Sequence, residues 1–229
     1  MIDARFAAQA RVKLGDPVTL RGGGGARDAR QGENARLRLS GGQTGLLDPI
    51  VADLSSVSRG MGQRLDGILG DDFLERFVLE LDYRQRRVTL RQPDMVAAPT
   101  DAARIRFVRT PFIPARVSLG QRAVTAEFQI DTGSNTALVF WRPFTRAAFP
   151  DAHGYEGQGL GVAGDTQSRR TRIDLLEVAG RRIADLEVNL DDDTRPDDAD
   201  SHYGGVIGGP AWAGMAIVLD FPHGRFWVR

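Results

Sequence analysis

The sequence contains no cysteine, and this absence excludes several kinds of chemistry. Disulfide bonds, zinc sites with cysteine ligands and thiol nucleophiles cannot occur in this chain. Histidine is also scarce, with three residues far apart in the sequence at His153, His202 and His223. None of them has the spacing of a helical metal motif. We therefore expect no metal site, and we expect no cofactor.

The chain also lacks an excess of either charge, because 30 Lys and Arg residues balance 30 Asp and Glu residues. Proteins that bind nucleic acids usually carry a basic surface, so nucleic acid is not expected as the main partner. Of the 229 residues, 41% are hydrophobic and 26% are charged, which is typical of a folded globular chain. The length corresponds to one large domain or two small ones.

Long hydrophobic runs are missing as well. The stretch 203–219 carries no charge, but it is rich in glycine and Pro210 interrupts it. Because it is short for a membrane span, we predict that it is a buried core segment. Residues 1–5 (MIDAR) lack the apolar core of a signal peptide. The compartment stays open, and a periplasmic or secreted location follows if a signal peptide precedes Met1.

The sequence does contain an internal repeat with a constant offset of 138 residues. Each copy contains two apolar residues between glycines, at 67–70 (GILG) and at 205–208 (GVIG). In each copy this segment is followed by a longer apolar run, at 77–83 and 215–221, and then by a short apolar segment, at 87–90 and 225–228. The offset pairs Gly67 with Gly205, Gly70 with Gly208, Asp82 with Asp220, Tyr83 with Phe221, and Gly42 with Gly180. The protein is therefore predicted to consist of two copies of one unit. The predicted ranges are 1–92 for the first copy, 93–103 for a linker with two prolines, and 104–229 for the second copy.

Each copy is predicted to be mainly β-structure. Apolar residues alternate on both sides of a turn at Gly120 and Gln121, which predicts a hairpin that ends near residue 130. Further strands are predicted at 173–178, 183–190, 79–83 and 88–90, and at the residues that match the last two in the second copy. Short helices are predicted at 3–14 and 72–77, and residues 191–200 are predicted to form a solvated acidic loop.

The motif that carries chemistry follows the predicted hairpin of the second copy. It consists of Asp131, Thr132, Gly133 and Ser134. A strand thus brings a carboxylate to a tight turn formed by glycine, between two hydroxyl groups. The tripeptide Asp-Thr-Gly alone is a weak signal, and without the repeat a turn-capping aspartate in a hairpin would explain it better. Its context strengthens it, because a glycine-rich segment follows and 206–208 could pack behind the turn.

With these residues in view, the chain resembles the retropepsin-like (retroviral-type) aspartic peptidases in their bacterial two-lobe form. The matching segments are 131–134, the glycine-rich 157–164, and 206–208 with 219–221 in the second copy, and 22–25, 67–74 and 81–83 in the first. The resemblance implies an all-β fold of two pepsin/retropepsin-like lobes related by a pseudo-twofold axis, with a peptide cleft between them. It also implies a peptide or protein substrate.

The resemblance further implies a mechanism. In this family two aspartates share one proton, and one of them acts as the base that activates a water while the other polarises the scissile carbonyl. Asp131 would be one of the two aspartates. Gly133 would let backbone amides reach its carboxylate, and Ser134 would hydrogen-bond that carboxylate. Thr132 would form a contact with the partner lobe. The glycine-rich segment would be a flap that closes on the peptide. The candidate flap residues are Tyr155, Gly157, Gly159 and Gly161. A plain loop at 157–164 and an ordinary packing role for Tyr155 are the alternatives.

The mechanism needs a second aspartate, and no other Asp-Thr-Gly or Asp-Ser-Gly occurs in the 229 residues. The offset would place it roughly eight residues before Met1, together with the leading hairpin of the first copy. Three explanations stay open: the true start lies upstream, two chains form a homodimer in which two Asp131 residues meet, or the protein is an inactive relative that only binds peptides. The first is favoured because natural domain boundaries rarely fall inside a folding unit.

Overall fold

The structure is a computed structural model that describes residues 1–22, 25–39, 44–108, 110–161, 164–191 and 202–229. Gly42 of the repeat and residues 192–200 of the predicted acidic loop lie outside these ranges. In the first part of the chain the strands are β1 (Ile2–Asp3), β2 (Lys13–Gly22), β3 (Gly25–Glu33), β4 (Ala35–Arg38), β5 (Thr44–Leu47) and β6 (Ile50–Ala52), and the helices are α1 (Ala4–Gln9), α2 (Ser55–Gly60) and α3 (Asp71–Leu74).

The remainder of the described chain is also mainly β-structure, which confirms the all-β prediction. Its strands are β7 (Val78–Asp82), β8 (Arg87–Arg91), β9 (Ala103–Arg104), β10 (Arg106–Val108), β11 (Thr110–Leu119), β12 (Arg122–Asp131), β13 (Leu138–Phe140), β14 (Tyr155–Gly161), β15 (Gly164–Val178), β16 (Arg181–Asp191), β17 (Tyr203–Gly208), β18 (Ala216–Asp220) and β19 (Arg225–Val228). Helix α4 is Arg142–Ala148, and two short 3₁₀ segments are Pro93–Met95 and Gly209–Trp212.

The chain forms two compact units. The first contains Met1–Phe73 and Gln158–Thr166, and the second contains Leu74–Gly157 and Gln167–Arg229. The hairpin β7–β8 belongs to the first copy of the repeat, yet it groups with the second unit because β7 pairs with β18. The compact units therefore do not coincide with the two copies of the repeat. The arrangement of two pepsin-like lobes stays a prediction.

In the first unit, the described strands form two small sheets. Strands β1, β6, β3 and β2 lie side by side in that order, and β4 pairs with β5. Helix α1 begins after Asp3, whose carboxylate accepts a hydrogen bond from the Arg5 amide at 3.0 Å. This capping explains a helix in the predicted range 3–14, although the helix ends earlier, at Gln9, before β2 begins.

The second unit contains a closed six-stranded barrel. Its strands follow one another in the order β11, β12, β17, β13, β16 and β15, and β15 pairs back with β11 to close the ring. Strands β11 and β12 are antiparallel around the turn at Gly120, as the apolar alternation predicted. Barrel closure leaves no free edge among these six strands, so their inward side chains form one continuous core.

The hairpins β7–β8 and β18–β19 reproduce the repeat in their register. Leu79 pairs with Leu90, and the residues 138 positions later, Ile217 and Val228, also pair. The turns match as well, because Asp82 accepts a hydrogen bond from the Gln85 amide at 2.9 Å and Asp220 accepts one from the His223 amide at 3.3 Å. The two segments therefore fold alike, as their shared sequence pattern predicts.

The two hairpins also join each other symmetrically. In the antiparallel pair β7–β18, Leu79 lies opposite Leu219 and Leu81 lies opposite Ile217. Adding 138 to Leu79 gives Ile217, and adding 138 to Leu81 gives Leu219, so exchanging the two copies leaves the pairing unchanged. A local twofold axis therefore passes through the pair Glu80 and Val218 in this sheet.

The hydrophobic core of the second unit is built on aromatic rings. Phe128 is fully buried, and its ring lies 5.6 Å from that of Phe144 and 6.0 Å from that of Phe140. Segment 203–219 contributes fully buried Ile207 and Trp212, which supports its interpretation as core. In the part of the chain that the structure describes, no helix has the length and apolar character needed to cross a membrane.

Replacing Phe128 by Ala is expected to lower the free energy of unfolding by about 3–5 kcal/mol, because the substitution removes buried ring contacts and leaves a cavity. Urea unfolding followed by tryptophan fluorescence measures this change. Val88→Ala is the matched control, since Val88 is 65% exposed and its truncation should change stability by less than about 0.5 kcal/mol. Equal effects of the two substitutions would contradict this description of the core.

Candidate functional site

The site centres on the turn that follows β12. Strand β17 lies between β12 and β13, parallel to β12 and antiparallel to β13. Residues 132–137 connect β12 to β13 and therefore cross the end of β17. Asp131 is the last residue of β12 and lies opposite Gly208, the last residue of β17. We call residues 131–137 the Asp131 turn.

Backbone hydrogen bonds fix this turn on the end of β17. The Gly208 amide donates to the Ala137 carbonyl at 3.0 Å, and the Gly209 amide donates to the Ser134 carbonyl at 3.1 Å. A Cβ on Gly208 would overlap the carbonyl oxygen of Thr136. This packing of 206–208 behind the turn agrees with the sequence prediction. The close approach of Gly208 to the Thr136 backbone is thus possible only because residue 208 has no side chain.

The Asp131 carboxylate is partly exposed and has a backbone donor. The Gly133 amide donates to Asp131 Oδ1 at 2.9 Å, and the Ser134 amide donates to the Asp131 carbonyl at 3.1 Å. A Cβ on Gly133 would lie 3.3 Å from Asp131 Oδ1, so glycine gives the carboxylate room at this position. The carboxylate is thereby oriented, and it stays open to solvent and to a ligand.

Ser134 was predicted to hydrogen-bond the Asp131 carboxylate, but in the structure its partner is the backbone of Thr136. Its hydroxyl donates to the Thr136 carbonyl at 3.2 Å and accepts from the Thr136 amide at 3.3 Å. In the described structure the Ser134 hydroxyl therefore stabilises the turn through the Thr136 backbone and forms no hydrogen bond with Asp131. Thr132 is exposed, and its grip on a partner lobe stays a prediction.

The candidate flap residues lie on β14, outside the Asp131 turn. Tyr155 is 62% exposed, and its hydroxyl donates to Glu187 at 3.2 Å. Gly157 packs against Arg170 and Ser168, with its Cβ position 3.1 Å from Arg170 Nε. Gly159 and Gly161 continue the same strand. Strand β14 lies beside β15 in the sheet, so the described residues of the predicted flap 157–164 lie in two neighbouring strands, and Val162 and Ala163 lie outside the described residues.

Three buried polar atoms on the hairpin β15–β16 have no hydrogen-bond partner within the described part of the chain: Ser168 Oγ, Arg170 Nε and Asn189 Oδ1. Arg170 and Asn189 are cross-strand neighbours. Asn189 Nδ2 donates to Thr136 Oγ1 at 3.5 Å, which connects these residues to the Asp131 turn. We call Ser168, Arg170 and Asn189 the polar patch. Buried polar atoms without partners are costly, and Gly157 of β14 lies against Arg170 and Ser168 of this patch.

One neighbour of the Asp131 turn was missed by the sequence analysis. Tyr83 lies at the end of β7, and its hydroxyl oxygen is 3.4 Å from the Cβ position of Gly209. Burial, together with the negative charge of Asp131, raises the pKa of Tyr83 to about 12. The available sequence signal was weak: the repeat places Tyr83 where the other copy has Phe221.

The raised pKa of Tyr83 predicts a change of stability in alkali. The folded state keeps the phenol neutral up to pH about 12, while the unfolded state loses the proton near pH 10.0. The stabilising contribution is therefore complete below pH 10 and is lost as the pH rises through 12. The ultraviolet absorbance of phenolate should show one tyrosine that titrates late, and Asp131→Asn should lower the pKa of that tyrosine. An unchanged late titration in Asp131→Asn would contradict the proximity of the two groups.

Within the described ranges, no three His, Asp or Glu side chains converge in the manner of metal ligands.

Neither protein-family models nor the sequences of curated proteins match this chain, so the function of the site follows from its own geometry.

Proposed function

We propose that this protein is an aspartic-type endopeptidase in which Asp131 is one half of a proton-sharing dyad. The observation that carries the proposal is the Asp131 turn. A strand of a closed barrel ends at a partly exposed carboxylate that the Gly133 amide holds at 2.9 Å, and the backbone of Gly208 and Gly209 fixes the turn from behind. A carboxylate that is rigid and also accessible is suited to activate a water.

The chemistry follows from two such carboxylates held close together. Two negative charges at that distance repel each other, so the pair binds one proton and titrates as a unit. One carboxylate then removes a proton from a water placed between the two, and the other, protonated, donates to the carbonyl oxygen of the scissile bond. The hydroxide adds to the carbonyl carbon, and the amine leaves after it accepts a proton. No covalent bond to the protein forms.

The 229 residues contain no second Asp-Thr-Gly that could provide the second carboxylate. It is supplied either by residues that precede Met1 or by Asp131 of a second molecule. The local twofold axis in the sheet of β7 and β18 supports the first source, because it relates equivalent segments of the two copies within one chain.

An extended peptide is the substrate that the surrounding residues favour. The polar patch contains one free acceptor on Asn189, one free donor on Arg170 and one hydroxyl on Ser168. These atoms are buried beside Gly157, so a displacement of β14 would open them to a peptide, whose amide groups can supply the matching donor and acceptor. Strand β14 with Tyr155 lies beside these residues, and it would close over the peptide if it acts as a flap.

A second candidate function is peptide binding without hydrolysis, and the single Asp-Thr-Gly favours it. A peptide-binding module would hold peptides in the same place, and Asp131→Asn would leave the binding unchanged. Turnover distinguishes the two candidates.

The test is a cleavage assay on a mixture of peptides, analysed by mass spectrometry, with and without a statine-type inhibitor whose hydroxyl mimics the tetrahedral intermediate. It uses the 229-residue chain and the chain extended to the first in-frame Asp-Thr-Gly or Asp-Ser-Gly upstream of Met1. We expect internal peptide bonds to be cleaved and the statine-type inhibitor to block cleavage. The proposal would be rejected if neither chain cleaved any peptide, or if an in-frame stop preceded Met1 and the 229-residue chain were an inactive monomer.

A further inference from the structure

We propose that Tyr83 is a positioning residue for the Asp131 turn, which it supports through its hydroxyl group on the side of Gly209. The effect on catalysis rests on the proposed function, whereas the effect on the turn does not. Tyr83 comes from the first copy of the repeat, and the turn comes from the second. The proposal therefore assigns to the first copy a part in orienting the aspartate of the second.

The backbone of Tyr83 is held firmly in the second unit. Strand β7 pairs with β18 along its whole length, and the last pair joins Asp82 to Ala216. The Tyr83 amide then donates to the Met215 carbonyl at 3.0 Å. Because these bonds fix the start of the side chain, the hydroxyl at its end has a defined place.

That place is beside the carbonyl groups of the turn. The Cβ position of Gly209 lies 3.4 Å from the Tyr83 hydroxyl oxygen, 3.5 Å from the Thr132 carbonyl oxygen and 3.5 Å from the Ser134 carbonyl oxygen. A phenol hydroxyl donates, and carbonyl oxygens accept. Since residue 209 carries no side chain, the point that its Cβ would occupy is open. A water at that point would lie within hydrogen-bond distance of the hydroxyl and of both carbonyl oxygens, and it would connect them.

Packing of the ring explains an aromatic residue at position 83, but it does not explain the hydroxyl group of Tyr83. The ring of Tyr83 contacts the hydrophobic core, and a phenylalanine would make the same contacts. The equivalent residue of the second copy is in fact Phe221, whose ring lies 5.8 Å from that of Phe107. Among the residues that the structure describes, no side chain or backbone group of the protein forms a hydrogen bond with the Tyr83 hydroxyl. The Asp131 turn provides the nearby acceptors.

The charge of Asp131 is consistent with this role. A phenol is protonated at neutral pH even at its ordinary pKa of 10.0, and burial together with the charge of Asp131 raises the pKa of Tyr83 further, so the hydroxyl is a donor at neutral pH. The two carbonyls that it faces flank Gly133, and the Gly133 amide is the donor that holds Asp131 Oδ1. A shift of these carbonyls would therefore move the donor of the carboxylate, and small displacements of a catalytic group lower the rate of the chemical step.

The experiment compares Tyr83→Phe with Tyr203→Phe, which also removes one hydroxyl but lies elsewhere, hydrogen-bonded to Arg106 at 3.2 Å. Nuclear magnetic resonance measures hydrogen exchange of the Gly133 amide, and peptide cleavage gives kcat and KM. In Tyr83→Phe we expect exchange to rise and kcat to fall, each by about 3- to 10-fold, the equivalent of one lost water-mediated hydrogen bond. KM and the thermal midpoint should change little, and Tyr203→Phe should leave the Gly133 amide unaffected.

A second variant, Gly209→Ala, tests the geometry independently. Its methyl group would lie at van der Waals distance between the hydroxyl and the carbonyls, so we expect it to reproduce the effect of Tyr83→Phe. The double variant should then be no worse than either single variant.

The outcomes separate this proposal from the proposed function. Unchanged exchange at Gly133 in Tyr83→Phe would overturn the positioning role, whether or not kcat changes. Faster exchange in a protein that cleaves no peptide would support the positioning role and reject the peptidase. Additive effects of Tyr83→Phe and Gly209→Ala would also overturn it, because the two residues would then act separately.

Discussion

Asp131→Asn is expected to lower kcat/KM for peptide cleavage by about 10³-fold or more, because an amide can neither hold the negative charge of the dyad nor accept the proton of the attacking water. The substitution is nearly isosteric, and the side-chain oxygen can still accept a hydrogen bond from the Gly133 amide. We therefore expect the fold and the stability to be preserved. The loss of activity would then reflect chemistry and not unfolding.

The matched control for this substitution is Asp151→Asn. The Asp151 side chain is 88% exposed, and its nearest basic group, on Arg122, lies 3.9 Å away. A weak surface ion pair of this kind contributes little, so the control should keep full activity. If Asp131→Asn retained activity comparable to that of Asp151→Asn, the assignment of Asp131 to the dyad would be wrong.

Gly208→Ala is expected to have the second large effect. The new Cβ would overlap the Thr136 carbonyl oxygen and would lie 2.8 Å from both Cβ and Oγ of Ser134. Because backbone atoms cannot move away as flexible side chains do, either the Asp131 turn or the end of β17 must shift. We expect the free energy of unfolding to fall by about 2–5 kcal/mol and peptide cleavage to be lost.

Gly45→Ala provides the control for Gly208→Ala, since no atom lies within 4 Å of the Cβ position of Gly45. Replacing glycine by alanine in an open place restricts the unfolded chain, and it should leave stability unchanged or slightly raised. Chemical denaturation measures both variants. A Gly208→Ala protein as stable as Gly45→Ala would show that the turn does not pack on β17 as described.

The local structure of this protein could be predicted well from its sequence. Alternating apolar residues are sufficient to define a hairpin, and β11 and β12 have the turn at Gly120 that the pattern indicated. The repeat predicted that 79–90 and 217–228 fold alike, and their registers are identical. The packing of 206–208 behind the turn was also expected from the sequence, and the Gly208 amide donates to the Ala137 carbonyl of the turn.

The parts that depend on contacts between distant segments could not be predicted. The support of the turn by Tyr83 depends on the pairing of β7 with β18, and no local pattern specifies that pairing. The same pairing places the first-copy hairpin in the second unit, across the boundary that the repeat suggested. The resemblance implied that Ser134 hydrogen-bonds the carboxylate, but the geometry of the turn directs its hydroxyl to the Thr136 backbone.

The most direct test of the central claim is a crystal structure of the protein with a statine-type peptide bound. We predict that the hydroxyl of the inhibitor lies within hydrogen-bond distance of the Asp131 carboxylate and, on its other side, of a second carboxylate. The second group would come from residues upstream of Met1 or from Asp131 of another molecule. An inhibitor bound elsewhere, or an Asp131 carboxylate facing the hydroxyl with no second carboxylate opposite, would contradict the account.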